Sequence, residues 1–204
     1  MNAIDFTHKA PHGESMRAFT IINETAQDEI AREAMLDRAM GEGRRRKSSE
    51  KLRRGRLPSE GLAFVARAAD GTLLGTVRLW DIQAGHDAAG RPVRALLLGP
   101  LAVEPVLKGQ GIGVALMHHA VSEAARLGHG AIILVGDPEY YERFGFRGGL
   151  TVDLAMPGPV ERHRFLAVEL KVGHLAGAHG VLSPRGRRRS RALKAAPVSM
   201  RFHG

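Results

Sequence analysis

A glycine-dense turn, Lys108-Gly109-Gln110-Gly111-Ile112-Gly113, stands between an apolar run at 95–103 and a stretch at 112–127 with helical apolar spacing. No other feature of the chain restricts the fold as tightly. The apolar run, bounded by turn residues, reads as a buried strand. Ile112, Leu116, Ala120, Ala124 and Leu127 recur on one helical face, opposite His118, Ser122 and Arg126, so the second stretch reads as a helix with one buried side. A further apolar strand is expected at Ala131–Val135, and then a short helix ending at Gly145. Strand, helix and strand in this order make a β-α-β unit. Glycines where the strand hands over to the helix leave backbone N–H groups unobstructed around an anion, which implies a phosphate-bearing ligand.

Two phosphate-binding motifs are excluded or weakened by the spelling. A nucleotide P-loop needs Gly-Lys followed by Ser or Thr, but Gly113 is followed by Val114 and Ala115. The dinucleotide fingerprint needs G-x-G-x-x-G directly after a strand. Counted from Gly109, its third glycine position holds Val114, and residues 104–108 separate strand from turn.

The same stretch resembles the acetyl-CoA-binding core of the GNAT superfamily of N-acetyltransferases. Leu101-Ala102-Val103 matches the Leu-x-Val run closing the family's central strand. Lys108-x-x-Gly111-x-Gly113 matches the turn (Gln/Arg)-x-x-Gly-x-(Gly/Ala), and Tyr141 stands four residues before Gly145-Phe146. Lys108 departs from the usual Gln or Arg, keeping a charge without the planar fork. The connection from 135 to 141 also lacks the Asn often found there. The likeness is close over 95–146 and looser over 19–170.

This resemblance implies a mixed α/β fold, with a mostly antiparallel central sheet, one splayed parallel strand pair and flanking helices. It implies acetyl-CoA as acetyl donor and no metal. The cofactor-binding set would be Leu101, Ala102, Val103, Lys108, Gly109, Gln110, Gly111, Ile112, Gly113 and Val114, with the pyrophosphate on the N–H groups of 109–113. The Val103 N–H would serve the thioester oxygen as oxyanion donor. Gly99-Pro100 suits an irregular strand, because Pro removes a ladder donor and Gly permits a bulge.

Acetyl transfer to an amine also needs a proton for the departing thiolate and a neutral amine. Tyr141 is the candidate acid, since a phenol of pKa ~10 is protonated at neutral pH and can protonate a thiolate whose acid lies near ~8.5. The plainer alternative is a packed aromatic beside Phe144 and Phe146, and Tyr140 is the fallback acid. Glu104, at the end of the central strand, is the candidate base, whereas Glu139 is better placed to favour the N-terminus of the short helix. With no cysteine and no G-x-S-x-G elbow, a covalent acetyl-enzyme has no obvious nucleophile, so direct attack in a ternary complex is expected. The expected activity is N-acetylation of a primary amine on a small molecule or peptide. The alternative is a GNAT-fold acetyl-CoA-binding or nucleic-acid-associated module without turnover.

Charge bears on that alternative. The formal net charge is +9, and residues 181–204 hold seven basic side chains and no acid, so the rest is nearly neutral. Residues 1–17 are expected to be a flexible leader, 18–180 a single domain, and 181–204 a disordered basic tail through which nucleic acid could be met. Without cysteine or a membrane-length apolar run of roughly 20 residues, a cytoplasmic monomer or homodimer is expected, with no membrane contact.

Ahead of the central unit, a strand is expected at 19–22, then a helix at 26–40 capped by Thr25 with Ile30, Ala34 and Leu36 inward. The basic segment 44–56 reads as a solvated charged helix, or else as a rim facing an acidic or phosphate-bearing acceptor. Strands follow at 62–66 and 73–82 around the Asp70-Gly71 turn, and short ones at 150–154 and 164–170. His118 and His119 are adjacent rather than three or four apart, which suits a surface pair and not a metal site.

Overall fold

The computed structural model describes residues 4–6 and 18–189 of the chain; the remainder of the expected leader and residues 190–204 of the expected tail lie outside the described residues. Its strands are β1 (Ile4–Phe6), β2 (Phe19–Asn23), β3 (Ala63–Ala68), β4 (Leu73–His86), β5 (Pro92–Val103), β6 (Ala131–Val135), β7 (Leu154–Ala155), β8 (Phe165–Glu169) and β9 (His179–Pro184). Its α-helices are α1 (Glu29–Met40), α2 (Glu50–Arg53), α3 (Ile112–Arg126) and α4 (Pro138–Tyr141).

The strands lie in the order β1-β2-β3-β4-β5-β6-β8, with β9 paired to β4 and to β7. Along that path every pair is antiparallel except β5 and β6. The expected mostly antiparallel sheet with one parallel pair is therefore the architecture of the chain. The parallel register covers only Leu96 opposite Ile132 and Leu97 opposite Ile133, although β5 runs on to Val103. Beyond Leu97 the two strands part, and β5 keeps an unpaired edge.

Both faces of the sheet are covered, which is why β4 and β5 are buried along most of their length instead of at every other residue. On one face α3 buries Ile112, Leu116, Met117, Ala120 and Ala124 against Phe64, Leu79, Leu96 and Phe146. On the other, Leu52 of α2 packs with Trp80, Ile82, Leu97, Ile133, Phe165 and Leu182. His119, half-buried, sets its ring edge-on to Phe64 at 4.5 Å, so only His118 of the expected surface pair is exposed.

Helix α1 is rotated relative to the sequence expectation. Ile30 is 85 % exposed and Ala34 is exposed, while Met35, Leu36 and Arg32 are buried. The cause is ionic. Arg32 is buried because Glu24 and Glu33 hold its guanidinium, and a buried charge is tolerated only when so paired. Thr25 does begin the helical segment, but through a 3-10 turn, Ala26–Asp28, with Asp28 accepting from the Thr25 N–H at 2.7 Å. Near the other end, the strand expected at 150–154 is replaced by a 3-10 turn at Gly148–Thr151 followed by the two-residue β7.

Both ends of the described chain depart from the expected boundaries. Ile4–Phe6, inside the expected leader, pairs antiparallel with β2. The expected division at Gly180 falls inside β9, whose Ile82–Pro184, Gln83–Ser183 and Ala84–Leu182 pairs occupy the β4 edge that β3 leaves open beyond Arg78. Residues 185–189 then brace the connection after α2: the Leu57 N–H donates to Arg187 C=O at 2.8 Å, and the Arg189 N–H to Gly55 C=O at 2.9 Å. Leu182 is 1 % exposed. Leu182→Ala is therefore expected to cost about 2–5 kcal/mol in urea unfolding, the usual range for truncating a buried leucine. A loss below about 0.5 kcal/mol would mean that this strand does not belong to the core.

Candidate active site

The unpaired edge of β5 is one wall of a cleft. In an antiparallel ladder, hydrogen-bonded and non-hydrogen-bonded pairs alternate. The Glu104 N–H donates to Leu74 C=O at 2.9 Å, so Ala102, two residues earlier, also bonds toward β4. Leu101 and Val103 consequently turn their N–H groups to the open side. A register shift between the Val77–Leu101 and Leu79–Leu98 pairs places a bulge at Gly99-Pro100, where the irregularity was expected, and the Gly99-Pro100 peptide is cis. The Trp80 indole N–H donates to Gly99 C=O at 2.6 Å and pins the bulge.

The facing wall is the start of α3. The first α3 hydrogen bond runs from the Ala115 N–H to Gly111 C=O at 2.9 Å, which leaves the N–H groups of Ile112, Gly113 and Val114 without a helical acceptor. No side chain caps them, and no acid lies in the first turn. Gly109 and Gly111 hold φ of +88° and +78°, the left-handed region that glycine enters freely, and a Cβ at either would meet nothing within 4 Å. At Gly113, by contrast, a Cβ would lie 3.0 Å from Tyr140 Oη and 3.5 Å from Val103 Cγ2. The phenol, the Val103 strand end and the helix start thus converge on one point.

The cleft has a volume of about 440 Å³ and is lined by Leu101, Ala102, Val103, Lys108, Gly109, Gly111, Ile112, Gly113 and Val114. Gln110, expected in the same set, is not among its lining residues. Ala39, Met40, Pro105, Leu107, Tyr140 and Arg143 complete it. Lys108 and Arg143 are its cations and no carboxylate lines it, so unpaired amide donors and positive charge favour an anionic ligand. An apolar strand edge continues from that anion site to Val103. This donor set and its length of wall fit a phosphate-tailed, amide-bearing arm such as that of coenzyme A.

A family model described as an acetyltransferase (GNAT) domain matches residues 59–148, which span β3 to the turn after α4. The crystal structure of the GNAT family N-acetyltransferase YhbS from Escherichia coli in complex with CoA superposes with a TM-score of 0.68 at 27 % identity, covering 88 % of this chain and 94 % of that one. The chain has the GNAT fold and is similar to GNAT acetyltransferases in sequence. In sequence, the uncharacterised N-acetyltransferase YhbS of Escherichia coli (strain K12) is 28 % identical over 121 residues, 59 % of this chain and 70 % of YhbS. A GNAT family acetyltransferase from Brucella melitensis in complex with acetyl-CoA superposes with a TM-score of 0.53 at 25 % identity, over 74 % of this chain and 96 % of that one. Both of these solved GNAT relatives hold CoA or acetyl-CoA.

Of the two catalytic side chains expected from the sequence, Tyr141 and Glu104, neither lines this cleft. Tyr141 is not a lining residue: its ring packs under Gly136, where an added Cβ would fall 2.1 Å from Cε2, and edge-on to Phe146 at 5.9 Å. Burial pushes its phenol well above the usual tyrosine range. Tyr140 lines the cleft instead, under the guanidinium of Arg143 at 5.0 Å, and burial also raises its phenol. The four-residue spacing to Gly145-Phe146 names Tyr141, but the turn of α4 gives the cleft to its neighbour. Glu104 is engaged by Arg38 of α1, with Nε 3.3 Å from Oε2, and is not on the cleft wall. A base role would require Arg38 to release it. Sequence reasoning did not find Arg143, Ala39 or Met40, which reach the cleft through tertiary packing with no local motif. Among the described residues, no group of three or more His, Cys, Asp or Glu side chains could hold a metal, and no helix is long and apolar enough to cross a membrane.

Proposed function

We propose that the chain is an N-acetyltransferase that moves an acetyl group from acetyl-CoA to the primary amine of a small molecule or peptide, by direct attack in a ternary complex. The observation that carries this reading is the convergence of three donors on one cleft: the uncapped start of α3, the outward N–H of Val103, and the Tyr140 hydroxyl. When bound, acetyl-CoA supplies an activated acyl group and a thiol leaving group. The α3 amides and Lys108 hold its phosphates, the Leu101–Val103 edge aligns its amide-bearing arm, and the Val103 N–H donates to the oxygen on which charge develops. Tyr140 gives its proton to the departing sulfur, and the proton that the attacking nitrogen sheds passes to solvent water, from which Tyr140 is reloaded. The chain has no cysteine, so no thiol on the protein competes with direct attack by the amine.

Release of free thiol from acetyl-CoA across a panel of primary amines, read beside calorimetric binding of acetyl-CoA alone, tests the reading. Amine-dependent thiol release at least 10-fold above hydrolysis is expected with some member of the panel. Tight acetyl-CoA binding with no acetylated amine anywhere in a broad panel would favour a binding module. Absence of acetyl-CoA binding would remove both.

A further inference from the structure

A second cavity, also about 440 Å³, lies across the β5 bulge from the acetyl-CoA cleft: Pro100 lines one, and Leu101 the other. Eight arginines and three glutamates line it, with Trp80 among the few apolar groups. The basic segment 44–56 is folded over this cavity, with Arg44 and Leu52 buried, and is not a solvated helix.

Most of these arginines already have carboxylate partners. Glu33 serves Arg32, Arg44 and Arg45, and Glu29 holds Arg189 at 2.6 Å. Arg54 and Arg56 reach only backbone carbonyls, and Arg53 and Arg78, both largely buried, are only partly satisfied. Arg53, with its side chain 9 % exposed, donates to Glu50 from Nε at 2.6 Å, and among the described residues no partner is found for its two terminal nitrogens. One of those, Nη1, sits 3.9 Å from where a Cβ on Gly99 would stand, beside the bulge. Arg78, whose guanidinium carbon is 5.2 Å from the Trp80 ring centre, reaches Glu24 through one nitrogen while its buried Nε has no partner. Burial with too little countercharge also pulls Arg78 below the usual arginine pKa. A buried donor left unpaired, as at Arg78 Nε, is costly, and the open fork of Arg53 beside it matches a carboxylate or phosphate.

We propose that this cavity is the acceptor site and that Arg53 and Arg78 bind an anionic group, so that the acceptor is an amine carrying a carboxylate or a phosphate. The amine half of the statement rests on the acetyl-transfer reading above; the anion site does not. Bound there, the anion completes the donors of Arg53 and Arg78, and its own amine extends past Pro100 toward the Val103 end of the cleft.

Two measurements on the full chain test this. In the first, inorganic phosphate and propionate are titrated by calorimetry at low salt into wild-type, Arg53→Gln and Arg53→Lys proteins, each checked for folding by circular dichroism. Saturable binding of at least one anion is expected, weakened at least 10-fold by Arg53→Gln and partly restored by Arg53→Lys, with acetyl-CoA affinity unchanged. No saturable binding of either anion, or equal affinity in the folded Arg53→Gln protein, overturns the anion site. In the second, matched acceptors are compared: β-alanine with β-alaninamide, and phosphoethanolamine with ethanolamine. The charged member of one pair is expected to show at least 10²-fold higher kcat/KM, and the pair that responds separates carboxylate from phosphate. Equal acetylation of the members lacking the carboxylate or phosphate overturns the proposal while leaving acetyl transfer intact. If acetyl-CoA does not bind, the transfer reading falls, and the anion titration alone judges the cavity.

Discussion

In a folded Gly111→Asp protein, acetyl-CoA affinity is expected to fall at least 10²-fold, beyond detection by ordinary calorimetry. Space is not the reason, since a Cβ at Gly111 would meet nothing within 4 Å. Gly111 is the N-cap of α3, and an aspartate there can accept from the same helix amides that the cleft offers to phosphate. The substitution fills the anion site with an anion built into the chain. Its cost to the fold is small, because Asp is among the residues that tolerate the left-handed φ of +78° and its cap contact offsets part of the strain. Gly111→Asn separates charge from shape: it shares the backbone tolerance and side-chain size, and should lose markedly less affinity than the aspartate. Acetyl-CoA binding at wild-type strength in folded Gly111→Asp protein would refute the placement of the phosphates on α3.

The cofactor half of this site was legible in sequence because it is made of backbone. A strand, a glycine turn and a helix start are written locally, and β6 begins and ends at the expected residues, while β5 and α3 keep their expected ends to within three residues. The side-chain half was not. Whether Tyr140 or Tyr141 faces the cleft depends on the short connection after β6, where Gly136 admits the Tyr141 ring and turns its neighbour outward. Glu104 looked free because its partner, Arg38, lies 66 residues earlier. The basic segment 44–56 looked solvated because its counterions Glu33 and Asp37 sit on α1. The C-terminal residues looked like tail because β9 is short and glycine-containing, and only the open half of the β4 edge gives it a reason to pair. In each case the missing information is a contact distant in sequence.

Tyr140→Phe is expected to lower kcat roughly 10²-fold, the scale of losing a general acid, while acetyl-CoA affinity stays within about 3-fold of wild type. The substitution removes only the hydroxyl. The ring keeps its edge contacts with Tyr141 at 4.9 Å and Phe144 at 5.5 Å, so the packing of α4 is not disturbed. Burial raises the Tyr140 phenol above its ordinary value, so the proton donor stays loaded through neutral pH, and its ionisation erodes kcat only on the alkaline side of the usual tyrosine range. That alkaline fall should vanish in the phenylalanine variant, whose remaining activity draws its proton from water. Tyr141→Phe is the matched comparison: its ring lies beneath Gly136 and off the cleft wall, and its loss should leave kcat near wild type when chemistry limits turnover. A collapse of kcat in Tyr141→Phe with normal turnover in Tyr140→Phe would return the acid to the residue that motif spacing selects. It would also require α4 to rotate on binding acetyl-CoA, since Tyr141 cannot reach the cleft from beneath Gly136.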